Sequence, residues 1–314
     1  MMPEEPNTAV GPTVGVIIVT YNSAEHLDDL FTSLDSALAG VQFRLVVIDN
    51  QSSDGTAQRV RDLGYEAVEM GRNAGYSAAI NAGVRALDDA STILLLNPDV
   101  VLDPAAVVTM LAVSQDPRVG VVVPQTRDVG GALSPSLRRD PSLPRVWSGA
   151  LLGAERVRNI ALLSERVANP DLYLRSHDVD WGVGAIMLIT RECINRVGDW
   201  DESFFLYSEE ADFCQRVRRS GLAVRYDPSA VAYHEGGGGV HNPRLRSMMV
   251  VNKVRLYRRQ HSLVASSLFY FASVLNEASR AAMGNTAARS AAASLMFPSR
   301  RPPEIQCSDS FLPR

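Results

Sequence analysis

"STILLLNPDVVLDP" (residues 91–104) opens on an apolar run and ends in polar residues broken by prolines. Ile93 to Leu96 are too continuously apolar for a strand with one face in water, which is the pattern of a strand covered by helices on both sides. Asn97-Pro98 is ordinary turn chemistry at the end of such a strand. Asp99 is then either a turn residue or a carboxylate at the mouth of a sheet. What the other strands carry at the same edge decides between the two.

The rest of the first half repeats this unit. "TVGVIIVT" (13–20) is another continuous apolar run, and Asn22 and Ser23 offer N-caps to a helix in which Leu27, Leu30, Phe31, Leu34 and Leu38 recur at helical spacing. "FRLVVID" (43–49) leads through "NQSSDGT" to a short helix ending at about Leu63, where Gly64 stops it. A brief strand at Glu66–Glu69 leads through "GRNAGYS" to a helix over Ala78–Leu87, and a further helix follows Pro104. Four such alternations predict an α/β fold with a doubly wound, mostly parallel sheet. Ligands of such sheets bind in the crevice at the carboxyl ends of the strands. Those ends carry Thr20, Tyr21 and Asn22, then Asp49 and Asn50, then Asn97 and Asp99. Asp49 alone reads best as an Asx-turn, but several polar ends converging on one edge favour a binding site. "TYNSAEH" lacks the glycines of a dinucleotide fingerprint, so a bound diphosphate needs other neutralisation, such as a metal held by Asp99.

With 314 residues, 46% hydrophobic and 21% charged, the chain suits one large or two intimately packed domains. Cys193, Cys214 and Cys307 form neither an even disulfide set nor a metal-ligand spacing, which points to a reducing cytosol. "MMPEEPNTAVGP" (1–12) is acidic and unlike a signal peptide, and "SLFYFASVL" (267–275) is too short for a membrane span and runs into Asn276, Glu277 and Arg280. The net charge of -4 hides an asymmetry: from Arg244 onward there are eleven basic residues against Glu277, Glu304 and Asp309. A basic, partly apolar tail on an acidic body predicts contact with an anionic membrane surface. In residues 244–261, Met248, Val251, Val254, Leu256 and Tyr257 lie among Arg246, Lys253, Arg255, Arg258 and Arg259, the pattern of an interfacial helix with an imperfect apolar stripe. The competing reading is a solvated or homodimer-forming helix. Nucleic acid is not an expected partner, because no binding motif is present and the charges alternate with Val, Leu and Met.

"VIIVTYNS" (16–23), "VVIDNQSSDGT" (46–56), "GRNAGYSAAINAG" (71–83) and "LLLNPDV" (94–100), in that order and spacing, resemble the family 2 glycosyltransferases of GT-A fold, particularly their bacterial rhamnosyltransferase-like branch. "GALSPSLRRDPSLPR" (131–145), "WGVGAIMLITRE" (181–192), "GDWDESFFLYSEEADFCQRVRRSG" (198–221) and "VRYDPSAVAYHEGGGG" (224–239) resemble the acceptor half of that branch. The resemblance implies a GT-A domain over 13–240, divided into a nucleotide-sugar half (13–125) and an acceptor half (126–240), followed by a basic, mainly helical extension (241–314).

It also implies roles. Asp49 takes the position that recognises the nucleotide base, with Thr20, Tyr21 and Asn22 beside it, and Asp99 the position that binds a divalent cation bridging the donor diphosphate. Where the family's metal motif is Asp-x-Asp, this chain has Asn97-Pro98-Asp99, so Asn97 either supplies a neutral oxygen or shapes the turn. His234 matches a histidine completing the metal site, although a histidine at a strand end is by itself more often structural. Such an oxygen-plus-imidazole pair accepts Mn2+ or Mg2+, with manganese favoured by the nitrogen ligand. In "YSEEADF" the acids suit a helix N-terminus capped by Ser208, and the resemblance makes Glu210 the general base, with Glu209 as the competing candidate. Asp212 is expected on the acceptor side, holding the local helix and contacting a base or arginine.

Asn73, Gly75 and Asn81 match the donor-side loop, though "NAG" is also ordinary turn sequence. Arg138 is placed for a diphosphate or the acceptor, against the reading of a surface arginine. Trp181 and Gly184 are expected to line the acceptor site, Trp181 offering a face to a sugar ring or serving only as core. Gly236–Gly239 is expected to form a loop closing over bound donor. Together these imply an inverting, metal-dependent transferase moving a sugar, with L-rhamnose from a dTDP adduct favoured, onto a saccharide or polyprenyl-diphosphate-linked saccharide in envelope polysaccharide assembly. Its place would be cytoplasmic, peripheral on the inner face of the cell membrane. The alternatives are a UDP-hexose donor, a non-enzymatic nucleotide-sugar binder, and a plain nucleotide-binding α/β protein.

Overall fold

The computed structural model describes residues 13–234, 236 and 241–305. The acidic N-terminal stretch, Cys307 and all of the four-glycine loop except Gly236 lie outside the described residues.

The first half folds as strand-helix units: β1 (Val14–Thr20), α1 (Leu27–Ala37), β2 (Phe43–Asp49), α2 (Thr56–Asp62), β3 (Glu66–Glu69), α3 (Tyr76–Ala86), β4 (Thr92–Leu96) and α4 (Ala106–Val113). The four strands are parallel, in the order β3-β2-β1-β4, and every residue of β1 and β4 is buried, as their uninterrupted apolar sequences require. Thr20 lies opposite Asp49, and Ile18 opposite Leu96, so the three polar strand ends do reach one edge. At Gly83 a Cβ would stand 2.6 Å from Ile17, which is why α3 can press directly onto β1.

The short strand β5 (Val100–Leu102) lies between β4 and α4, and between α4 and the C-terminal helices come β6 (Val119–Arg127), β7 (Leu137–Arg138), α5 (Leu143–Leu151), α6 (Ala154–Val157), β8 (His177–Asp178), β9 (Trp181–Gly182), β10 (Ile186–Thr190), α7 (Arg191–Val197), α8 (Glu209–Arg219) and β11 (Ala223–His234). These extend the sheet as β4-β10-β6-β11-β5, with β8 pairing β11 and β7-β9 forming a separate ribbon. This part of the sheet is thus mixed: β10 runs antiparallel to both neighbours, and β5 antiparallel to β11. The short β5 continues directly from the Asn97-Pro98-Asp99 turn, so "STILLLNPDVVLDP" supplies two strands rather than one.

The chain closes with α9 (Pro243–Arg258), α10 (Leu263–Ala282) and α11 (Thr286–Met296). Here the structure corrects the interfacial-helix expectation. Met248, Val251, Val254 and Tyr257 of α9 are buried with Phe269, Ala291 and Leu295 in a core shared with α5 and the 205–207 segment, and Leu256 is buried against Phe204. The basic residues are turned inward as well. Arg246 makes a two-pronged ion pair with Glu277 at 2.6 and 2.9 Å, Lys253 pairs with Glu165 at 2.6 Å, Arg259 pairs with Asp201, and Arg255 lies over the Phe204 ring. Arginines spaced along an apolar stripe were in this case counter-charges for acids far away in sequence. Exposed apolar side chains are found instead on α10, where Val264, Leu268, Phe271 and Leu275 follow one another at helical spacing. Among the described residues, no helix is long and apolar enough to cross a membrane.

The Arg246–Glu277 pair generates a test of this packing. Removing one partner of a buried pair leaves the other charge uncompensated, which typically costs about 3–5 kcal/mol. Arg246→Met should therefore lower the urea midpoint sharply, and Arg246→Met with Glu277→Leu should recover most of the loss. Equal midpoints for wild type and the single variant would show that α9 does not dock as described.

Candidate active site

Seven of the predicted donor-side residues, Thr20, Tyr21, Asn22, Asn73, Gly75, Asn97 and Asp99, line one cavity of about 350 Å³ at the strand ends. Local hydrogen bonds fix its rim. Asn22 takes a left-handed backbone (φ 51) and accepts from the Ser53 amide at 2.8 Å, while its own amide donates to Ser52 Oγ at 2.8 Å. Gly75 must be glycine: at φ 91 a Cβ would lie 2.6 Å from the Phe205 carbonyl oxygen, to which the next amide, that of Tyr76, donates at 2.8 Å.

Two donor-side expectations are corrected. Asn81 does not reach the cavity. Its Nδ2 donates to the Trp200 carbonyl at 2.9 Å and its Oδ1 accepts from the Trp200 amide at 2.9 Å, so both ends of the side chain are spent bolting α3 to the segment before α8. Asp49 is 1% exposed and lies beneath the lining, accepting from Thr20 Oγ1 at 2.9 Å and from the amide and hydroxyl of Ser52. This is the geometry of an Asx-turn, through which Asp49 shapes the two strand-end loops.

A larger cavity of about 690 Å³ adjoins the first and shares Asn97, Asp99 and His26 with it. It brings Asp99, Arg138, Trp181, Glu210 and His234 together from distant parts of the chain. His234 Nε2 stands 3.2 Å from Asp99 Oδ2. Burial pushes the Asp99 carboxyl up, but its hydrogen bond to His234 and the nearby imidazole charges more than offset this, so it sits below the ordinary carboxylate range. One carboxylate and one imidazole in contact fit a hard to borderline divalent cation. Among the described residues, no group of three His, Cys, Asp or Glu side chains surrounds such a position, so protein would supply only part of its ligand shell. Beside this pair, Asn97 Oδ1 accepts from the Tyr76 hydroxyl at 2.7 Å, which also lies 3.0 Å from the Gly184 carbonyl. Burial and the negative charges of Glu209, Glu210 and Asp99 hold that hydroxyl protonated, so it remains a donor.

The acidic pair divides clearly. Tyr207 and Ser208 both adopt left-handed backbones (φ 70 and 76), an uncommon pairing for non-glycine residues. In that conformation Ser208 makes no side-chain cap, contrary to expectation. Glu209 is 4% exposed and does not line the cavity, whereas Glu210 does. Burial, with the charge of Glu210, drives the Glu209 carboxyl well above its ordinary range; burial also raises Glu210, partly offset by the Arg138 guanidinium. Glu210 Oε2 is buried with no hydrogen-bond partner among the described residues. A carboxylate oxygen left unsatisfied at a cavity wall is available to a ligand hydroxyl.

Two acceptor-side expectations also change. Gly184 lies behind Glu210, where a Cβ would come 3.4 Å from the Glu210 Cβ, and does not face the cavity. Asp212 is bound to Arg216 Nε at 2.8 Å with Arg259 Nη1 at 3.9 Å, the expected arginine contact, and lines neither cavity. Trp181 does line the cavity, and its indole N–H is buried without a partner among the described residues. Sequence reasoning missed His26 and Tyr76. Tyr76 sits inside the quoted "GRNAGYS" stretch, while nothing local to "SAEHL" distinguishes His26.

Comparison with known proteins identifies the family of the chain. The model of glycosyl transferase family 2 matches residues 15–162. An N-acetylglucosaminyl-diphospho-decaprenol L-rhamnosyltransferase of Mycobacterium tuberculosis is 32% identical over 235 residues, covering 70% of this chain and 75% of that protein. A rhamnosyltransferase of Escherichia coli is 25% identical, covering 70% and 83%. Among solved structures, a mannosyltransferase of Pyrobaculum calidifontis in complex with GDP-Man and Mn2+ superposes with a TM-score of 0.56 at 16% identity, covering 95% of this chain and 85% of that one, a likeness of fold. The chain belongs to glycosyl transferase family 2 and is a glycosyltransferase of GT-A fold.

Proposed function

We propose that this glycosyltransferase moves L-rhamnose from a dTDP-linked donor, with inversion, onto a saccharide carried by a lipid diphosphate in envelope polysaccharide assembly. The observation that carries the chemistry is the shared cavity: Asp99 and His234 in contact, and the unsatisfied Glu210 Oε2, line the same 690 Å³ space. The choice of rhamnose and of a lipid-linked acceptor is supported by the names of the relatives, whose M. tuberculosis member is called a diphospho-decaprenol enzyme.

In this reading Tyr21, Asn22 and Asn73 receive the nucleotide, and Asp99 with His234 would hold a divalent cation, Mn2+ or Mg2+. Such a cation supplies positive charge to the departing diphosphate. Glu210 Oε2 accepts the proton of the acceptor hydroxyl. The hydroxyl oxygen then forms its bond to the anomeric carbon as the bond from that carbon to the donor diphosphate breaks, and attack from the opposite face inverts the centre. Trp181 presents its ring to the acceptor sugar and its indole N–H to a sugar oxygen. Tyr76, by holding Asn97 and the Gly184 carbonyl, keeps the Asp99 turn and the Glu210 wall at fixed separation. Cytoplasmic action at the inner membrane face follows if the acceptor is lipid-borne.

Asp99→Ala should abolish transfer while leaving the melting temperature within a few degrees of wild type, since Asp99 lies at an edge. EDTA should silence the wild type in the same way, with Mn2+ restoring it. Full activity of Asp99→Ala in EDTA would contradict the cation role. Assaying dTDP-rhamnose against UDP-hexoses with a lipid-diphosphate sugar tests the donor; preferential use of a UDP-hexose would overturn the rhamnose assignment.

Glu210→Gln should lower kcat by roughly 100-fold or more with donor affinity nearly unchanged, and Glu209→Gln should do much less. Because burial raises the Glu210 carboxyl, the wild-type rate should fall on the acid side at a pH above the ordinary glutamate value of about 4.3. That limb belongs to the interacting pair and should vanish from the residual activity of Glu210→Gln. A larger loss in Glu209→Gln would transfer the base to Glu209.

A further inference from the structure

A third cavity, of about 310 Å³, opens beside the one lined by Glu210 and shares Arg138, Glu165, Met249 and Lys253 with it. It lies among α5, the 154–166 segment, α9 and α10, and its lining is rich in arginine. Its acids are spoken for: Glu277 by Arg246, Glu165 by Lys253 and Glu155 by Arg158. Arg138, Arg145, Arg166 and Arg280, in contrast, have no carboxylate within ion-pair distance among the described residues. Arg138 Nη1 donates to the Pro135 and Leu137 carbonyls at 2.7 and 2.9 Å, and Arg145 Nη1 to the Asp140 carbonyl at 2.6 Å, contacts that aim the guanidinium groups without neutralising them. Arg145 Nε is buried with no hydrogen-bond partner among the described residues. Four uncompensated guanidinium groups around one cavity match a compact polyanion, since their planar N–H forks suit phosphate oxygens.

On its far side this cavity meets exposed apolar side chains. It shares Gly149, Asn276 and Arg280 with a groove of about 500 Å³ between the end of α5 and the end of α10, lined by Leu151, Leu152 and Met283. These three are 66%, 50% and 78% exposed, and the α10 face carrying Phe271 and Leu275 is exposed as well. From Glu210 outward the chain thus presents the shared cleft, the arginine-lined cavity, and a groove where Leu151, Leu152 and Met283 stand exposed beside Arg156 and Arg280. An amphiphile with a sugar head, a diphosphate and a prenyl tail presents the same order.

The geometry points to the arginine-lined cavity as the seat of the acceptor's diphosphate and to the Leu151–Leu152–Met283 groove as the exit of its prenyl chain. This assignment rests on the proposed lipid-diphosphate acceptor and deepens it. It also gives the exposed apolar residues of α5 and α10 the membrane contact that α9, being buried, cannot make. Arg138, at the wall common to both cavities, meets the diphosphate on one side and moderates Glu210 on the other.

The test uses the full chain in EDTA, which quiets a cation-dependent donor site, with calorimetric titration of farnesyl diphosphate, inorganic diphosphate and farnesol. Wild type should bind farnesyl diphosphate more tightly than either fragment. Arg166→Gln with Arg280→Gln, both away from the packed core, should weaken farnesyl diphosphate and inorganic diphosphate by about tenfold or more, as expected for losing charge-assisted contacts. Leu151→Ser with Met283→Ser should weaken farnesyl diphosphate and leave inorganic diphosphate unchanged. No binding of farnesyl diphosphate by wild type, or unchanged binding by the arginine variant with an unaltered melting curve, would overturn the assignment. In transfer assays the arginine variant should raise KM for a prenyl-diphosphate-linked sugar without lowering kcat, and should leave an uncharged alkyl glycoside of that sugar unaffected. Equal loss on both acceptors would overturn the cavity's role; rhamnose transfer by wild type to neither acceptor, with farnesyl diphosphate binding intact, would count against the functional reading instead.

Discussion

The pairing of β5 with β11 governs the site. Val100, Val101 and Leu102 lie antiparallel against His234, Tyr233 and Ala232, so Asp99, one residue before β5, falls beside the last residue of β11. Side chains alternate along a strand, and a slip of one residue would send His234 to the opposite face of the sheet. The register is secured on the other edge of β11, which runs parallel to β6, with an irregularity between Asp227 and Val231 where Pro228 interrupts the ladder. The contact between a carboxylate and an imidazole 135 residues apart is therefore a property of strand register, and the buried core on both sides of β11 enforces it.

Glu210 is held by a different device. The 201–208 segment runs between the start of α3 and the middle of α9: the Phe205 carbonyl accepts from the Tyr76 amide, and the Leu206 carbonyl from Asn252 Nδ2 at 2.9 Å. Phe204 is fully buried beneath the guanidinium groups of Arg255 and Arg259, each 4.7 Å from its ring centroid. The left-handed turn at Tyr207 and Ser208 persists because both flanks are pinned in this way. The C-terminal helices are thus structural supports of the Glu210 wall as well as walls of the arginine-lined cavity.

How far the sequence reveals this depends on the range of the interactions. Strands and helices of the first half follow from local apolar period and turn residues, and the convergence of Thr20, Asp49 and Asn97 on one edge follows from parallel topology alone. What a side chain meets across the fold does not follow. Asn81 and Asp49 look like ligand-binding residues in a motif, yet Trp200 and Ser52 consume them. Arg246, Lys253 and Arg259 look like a membrane-facing set, because the acids that neutralise them, Glu277, Glu165 and Asp201, are remote or belong to other elements. The exposed apolar face falls instead on α10, which contains "SLFYFASVL", a run too short for a membrane span but spaced to leave one helical face apolar. His26 reaches the site through the α1 entry turn, a position with no local signature.

The account stands or falls on Asp99 and His234 forming one cation site next to Glu210. Crystals grown with Mn2+ and dTDP, measured at a wavelength where manganese scatters anomalously, test it most directly. A single anomalous peak within coordinating distance of Asp99 Oδ and His234 Nε2, touching the nucleotide diphosphate, is the predicted result. Nucleotide bound at the strand ends with no manganese peak there, or with the peak at another set of residues, would contradict it.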